Sequence, residues 1–163
     1  MKLHQSIPFI IIAVIFIALM GCSKEGTPTG PDDIMLEDLA DTWTATQFEF
    51  SQAEGGPALE SFDVIAEGGS VTLEIQPNGR FTLTTVNPDE SSEIDTGVLG
   101  FDPEEEDFLL VVFDDEPDDE LEFFFIIVNN NSFRLIDNTG EGEFDLDGDG
   151  VPEPARINST WVR

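Results

Sequence analysis

Residues 70–83 constrain the fold more than any other stretch, because alternation and turn chemistry agree there on a single register. Val71, Leu73 and Ile75 alternate with Thr72, Glu74 and Gln76; beyond Pro77-Asn78-Gly79, Phe81 and Leu83 alternate with polar neighbours. A period of two marks strands with one buried face. A two-residue Asn-Gly loop would pair Ile75 with Thr82 and put the two apolar sets on opposite faces. A three-residue loop pairs Ile75 with Phe81 and Leu73 with Leu83. That register wins, since a one-residue slip moves every apolar group to the wrong side. Pro77 then opens a type I turn, and Gly79 takes the left-handed position that completes a bulged hairpin.

Similar runs recur along the chain: Thr42–Ser51, Ser70–Gln76, Arg80–Val86, Ile94–Gly100, Phe108–Phe113, Leu121–Val128, Ser132–Asp137 and Pro154–Arg163. Turn-rich segments separate them at spacings typical of sandwiches and barrels. There is no long amphipathic helix and no internal repeat. Ile34–Ala40 reads as one short helical turn, with Asp32 or Asp33 as its N-cap. Phe108–Phe113 and Phe123–Val128 are apolar at every position. Two explanations stay open for them. Either the Ile34–Leu39 turn or a loop covers their outer face, or they form an exposed strip for self-association or a partner. The acidic segments Glu104–Asp107 and Asp114–Glu120 flank them as gatekeepers against aggregation.

The amino terminus has a different character. Met1–Ser6 carries one lysine and no acid, and an apolar run from Ile7 to Met20 is interrupted only by Pro8. A membrane-spanning helix needs about 20 apolar residues; this shorter run suits the core of a signal peptide. It ends in Leu19-Met20-Gly21-Cys22, which resembles the lipobox of bacterial lipoproteins, with Met20 a departure from the small residue usual there. Cys22 is the one cysteine of the chain, so no internal disulfide can form. The resemblance implies that residues 1–21 are a signal and that Cys22 is acylated. The membrane would be held through that lipid anchor, outside the cytoplasm. Each buried methylene contributes about 0.8 kcal/mol, so stable anchoring takes more than one chain. Ser23, where an aspartate would signal inner-membrane retention, favours the outer membrane. Residues 22–33 read as a flexible tether, and residues 34–163 as a single domain.

With 35 acidic and six basic residues the formal net charge is −29, and every acid lies beyond residue 21. Nucleic acid and anionic surfaces are repelled by such a chain. Lysine is nearly absent, as on the surfaces of salt-adapted proteins. The one histidine is His4, in the leader, and there is no tyrosine. With Cys22 acylated, imidazole catalysis, thiol nucleophiles and His/Cys zinc sites are excluded. A carboxylate pair such as Glu141 and Asp145 has little weight among so many acids. No catalytic residue is assigned.

Leu39-Ala40-Asp41-Thr42-Trp43 resembles the opening of lipocalin-like (calycin-type) domains, where Leu-x-Gly-x-Trp leads into the first strand; Asp41 stands in place of the glycine. The Gly68-Gly69-Ser70 strand start, the Asn-Gly hairpin and the arginine-ended last strand extend the likeness over most of residues 34–163. The resemblance implies an all-β, antiparallel up-and-down barrel of about eight strands. Trp43 would close one end, with Arg163 packed across it. The alternative is a β-sandwich in which Trp43 and Trp161 are plain core. The resemblance further implies a non-enzymatic module that binds a small apolar ligand or a partner. The inward phenylalanines either line a pocket or fill a small barrel completely.

One chemical motif stands out, Asp145-Leu146-Asp147-Gly148-Asp149-Gly150-Val151-Pro152-Glu153. Carboxylates at positions 1, 3 and 5 (Asp145, Asp147, Asp149) suit Ca2+, with glycine at 6, the Val151 carbonyl at 7 and Glu153 at 9. Helical calcium hands need a glutamate at position 12, where this chain has Arg156. The stretch resembles instead the loops that join β elements in extracellular calcium modules, whose affinities lie at about 10⁻⁴–10⁻³ M. A solvated acidic hairpin is the competing explanation. The alternative function is a calcium-stabilised structural or adhesive envelope protein, a homo-oligomer joined through the Phe108–Val128 strands.

Overall fold

A computed structural model describes residues 30–53, 61–137, 139–146 and 149–163. The expected signal segment, Cys22 and most of the expected tether lie outside the described residues, as do Asp147 and Gly148. The described chain forms β1 (Asp41–Gln52), β2 (Ser61–Asp63), β3 (Ser70–Ile75), β4 (Arg80–Val86), β5 (Ser92–Phe101), β6 (Phe108–Phe113), β7 (Glu120–Asn129), β8 (Ser132–Asp137), β9 (Gly142–Phe144) and β10 (Glu153–Val162).

Eight of these strands make one antiparallel ladder, β1-β3-β4-β5-β6-β7-β8-β10, and β10 pairs back onto β1. The sheet is therefore a closed up-and-down barrel, which leaves no open edge. A sandwich is excluded. β2 and β9 are short flaps on β1 and β10. Neither was visible in the sequence, because three residues offer no period to read.

The β3–β4 hairpin pairs Ile75 with Phe81 and Leu73 with Leu83. Gly79 has φ 81° and donates its N–H to the Gln76 carbonyl at 2.9 Å. A Cβ there would also stand 2.5 Å from the Leu99 carbonyl oxygen. Strain and crowding thus both require glycine. In β1, Ala45 faces Trp161 but Gln47 faces Thr160. Thr46 is the extra residue of a bulge, which lets Trp43 and Ala45 below it and Phe48 and Phe50 above it all face inward.

Residues 31–39 form two 3-10 turns, Pro31–Asp33 and Leu36–Leu39, in place of the single helical turn expected. The Met35 N–H is capped from within, by Asp38 Oδ2 at 2.9 Å, and Asp33 takes φ 62°. Leu39 is buried, with Ile34 and Leu36 packed on the core. This segment packs on the core and seals one end of the barrel, which corrects the expectation that the Ile34–Leu39 turn covers the apolar outer faces of β6 and β7. Outward-facing Phe108 and Phe124 meet edge to face at 5.7 Å and remain half-buried, as do Leu110, Val112 and Ile126.

Candidate ligand site at the barrel mouth

The two ends of the barrel differ in chemistry. At the sealed end the Trp43 indole is buried and donates its N–H to the Leu39 carbonyl at 2.8 Å. The Arg163 guanidinium lies 4.6 Å from the Trp43 ring centroid, a contact worth about 0.5–2 kcal/mol. Its N–H groups donate to the carbonyls of Asn130 at 2.8 Å and Asp38 at 3.3 Å. The C-terminal arginine is thereby tied to the N-terminal turn and the β7–β8 connection. A cavity of about 420 Å³ beside it mixes Arg163 with Asp33, Asp38 and two asparagines.

Aromatic rings fill the middle. Phe125 sits 5.5 Å from Phe101 and 5.4 Å from Phe133, while Phe48 meets Trp161 at 5.9 Å. The Trp161 N–H donates to Ser159 Oγ at 2.8 Å, so the inward polar pair satisfies itself. A void of only about 70 Å³ remains. Ligand pockets usually offer about 300–1,000 Å³. The phenylalanines thus pack the barrel more than they line a calyx.

At the other end the barrel opens. A basin of about 1010 Å³ lies between the β6–β7 connection, the β9 flap and the starts of β5 and β10. Its floor is Phe113, Leu121 and Ile157, the same side chains that roof the interior void. Phe144 forms a wall, stacked on Phe50 at 4.1 Å and beside Phe62 at 5.4 Å. Eight of the fourteen lining residues are carboxylates, among them Glu93, Glu116, Glu120 and Glu143, and none is lysine or arginine. Asp95, on the Glu93 face of β5, is held above the usual carboxylate range, first by burial and then by repulsion from Glu93 and Asp115. The flap is held by Asp137, buried at the end of β8. Its carboxylate accepts the Thr139 N–H at 2.7 Å, the Thr139 hydroxyl at 2.8 Å and the Gly140 N–H at 2.9 Å. The Ile157 N–H of β10 adds a fourth bond at 3.3 Å. Glu141 and Asp145, weighed above as a carboxylate pair, both face this basin.

The 145–153 loop joins β9 to β10 at the same rim. Asp145, Asp149 and Glu153 each bring a carboxylate oxygen within 4.8 Å of the others. Oxygens on opposite sides of a calcium ion, each at about 2.3–2.6 Å, stand about 5 Å apart, so the spacing fits one hard cation. Loop amides already point at the same carboxylates. Leu146 N–H donates to Glu153 at 2.9 Å, Gly150 N–H to Asp145 at 2.9 Å and Val151 N–H to Asp149 at 2.8 Å. Val151 itself is exposed, and Asp147 lies outside the described residues.

Sequence reasoning missed the basin. Its acids are Glu93, four from 116–120 in a segment read from sequence as a gatekeeper, and three from 141–145, of which Glu141 and Asp145 were read as a carboxylate pair of little weight; only the closed barrel shows them converging on one apolar floor.

These features define a class: a closed eight-stranded antiparallel up-and-down barrel, sealed by a tryptophan–arginine pair and open at an acidic mouth. Among solved structures the chain is similar to a lipocalin-like protein from Bacteroides uniformis, at 16% identity and TM-score 0.43, covering 77% of this chain and 98% of that one. It is also similar to lobster apocrustacyanin A1, at 11% identity and TM-score 0.40, covering 77% of this chain and 61% of that one. No protein-family model matches the chain, and no curated protein matches its sequence.

Proposed function

We propose that this chain is a bacterial lipoprotein, tethered through acylated Cys22 outside the cytoplasm, whose barrel binds a small, largely apolar molecule at its mouth and does no covalent chemistry on it. The observation that carries this is the contrast between the ends: one is sealed by Leu39, Trp43 and Arg163, and the other opens a basin of about 1010 Å³ onto an apolar floor. The Leu19–Cys22 lipobox resemblance supports the tether, and Ser23 supports the outer membrane over the inner. A net charge of −29 argues against nucleic acid as a partner. The mature chain offers neither imidazole nor phenol for acid–base work.

N-phenyl-1-naphthylamine, a neutral dye that fluoresces in apolar sites, tests the binding role on the full-length protein in zwitterionic nanodiscs. The expected result is saturable, stoichiometric binding above that of empty nanodiscs, weakened at least about tenfold, or about 1.4 kcal/mol, by Leu121→Glu. Binding no better than that of empty discs rules the role out.

A second reading is favoured by the Asp145–Asp149–Glu153 convergence. In it, calcium stabilises the β9–β10 loop of an envelope protein that self-associates through the outward faces of β6 and β7, where Phe108, Phe124 and the 54% exposed Val128 lie. The two readings share the same rim, since Asp145 belongs both to the acidic triad and to the basin wall.

A further inference from the structure

We propose that the mouth basin selects cationic amphiphiles, small molecules that join a protonated amine to a compact apolar body; this rests on the barrel being a binding module and names the class of its ligand.

The apolar floor is the primary feature, and the carboxylates above it choose the charge. Phe113, Leu121 and Ile157 present an apolar surface that a hydrated inorganic cation leaves unused. An apolar body seated there places its polar end among the rim acids. Those acids exceed the chain's general acidity: eight of fourteen lining residues are carboxylates, against 35 of 163 overall. The cavity at the sealed end holds an arginine, so single-sign lining belongs to the mouth and not to every hollow of this protein.

A cleft lined by one sign of charge with low-dielectric walls focuses its field. At physiological ionic strength the screening length is about 8 Å, close to the roughly 10 Å width that this volume implies, so rim charges still act inside the basin. Asp95 lies outside the basin lining and is pushed toward its protonated form first by burial, then by repulsion from the basin residue Glu93 and from Asp115. An ammonium group relieves that repulsion. A neutral head leaves it in place, and an anionic head adds to it.

Three probes of one shape separate the possibilities: 4-phenylbutylamine, 4-phenylbutanol and 4-phenylbutyrate. Each is measured by equilibrium dialysis against the full-length protein in zwitterionic nanodiscs, with empty discs as blanks. At about 0.15 M salt the amine is expected to bind at least about tenfold tighter than the alcohol, with butyrate undetected and the margin shrinking at about 1 M salt. The triple variant Glu116→Gln/Glu120→Gln/Glu143→Gln is expected to erase the amine's advantage over the alcohol. Glu37→Gln/Glu104→Gln/Glu105→Gln removes as much charge far from the basin and is expected to preserve the advantage. An alcohol that binds as tightly as the amine overturns the cation preference but leaves the binding role standing. Equal loss in both triple variants also overturns it, since bulk charge would then be the cause. If none of the three probes binds while N-phenyl-1-naphthylamine does, the cation preference falls and the binding role stands; if the dye fails as well, both fall.

Discussion

Asp114 shows how a single solvent-facing carboxylate can join three strands. It accepts two hydrogen bonds from Arg80 of β4, at 2.8 and 2.6 Å, and one from the Thr96 hydroxyl of β5 at 2.6 Å, while standing just past the end of β6. The Arg80 hydrogen bond, then that of Thr96, holds its carboxyl down at about 2. A folded pKa below the ordinary carboxylate value means that its stabilising effect is complete above pH about 4–5 and is lost as pH falls toward 2. Asp114→Asn should therefore lower the urea midpoint at neutral pH and narrow the gap to wild type between pH about 4.5 and 2. A gap that stays constant over that range would show that the ion pair is not the cause. The contribution is small in absolute terms, since exposed pairs are screened. Nothing in the sequence marked Asp114 among so many aspartates. Trp43 and Arg163 were legible because tryptophan is rare and the chain ends on the arginine.

Elements were legible in proportion to their length. The β3–β4 hairpin could be aligned residue by residue because alternation and turn chemistry are local. The bulge at Thr46 was not, since it exists to keep both halves of β1 facing a core that the strand alone does not define. The β9–β10 loop falls between these cases: its ligand spacing was readable, and the convergence of Asp145, Asp149 and Glu153 appears only once β9 and β10 pair. If the loop binds calcium as proposed, with a Kd of about 10⁻⁴ M, calcium at about 1 mM would stabilise the fold by about 1.4 kcal/mol. For a domain of this size that raises Tm by about 3–6 °C. Asp149→Ala should abolish the shift. The envelope-protein reading adds calcium-dependent dimers in sedimentation, absent in the same variant. An unchanged Tm with calcium, or a full shift in Asp149→Ala, removes calcium from the loop.

At the scale of the whole molecule, the proposed acylation of Cys22 would hold the barrel and its acidic mouth at a membrane surface. Cells fed labelled palmitate should yield labelled wild-type protein in the membrane fraction and unlabelled Cys22→Ala; label retained by the variant would refute acylation at Cys22. What the sequence determined by itself is what depends on neighbours along the chain: the strand periodicity and the register of the β3–β4 hairpin. Tertiary structure alone decided that the barrel closes through β1 and β10, that its phenylalanines leave about 70 Å³, and that the mouth opens onto about 1010 Å³. It also decided that Glu93, Glu120 and Glu143 meet above one apolar floor. The physical reason is range. Local sterics and alternation act over a few residues, whereas filling a barrel and focusing a field depend on side chains far apart in sequence that only a closed sheet brings together.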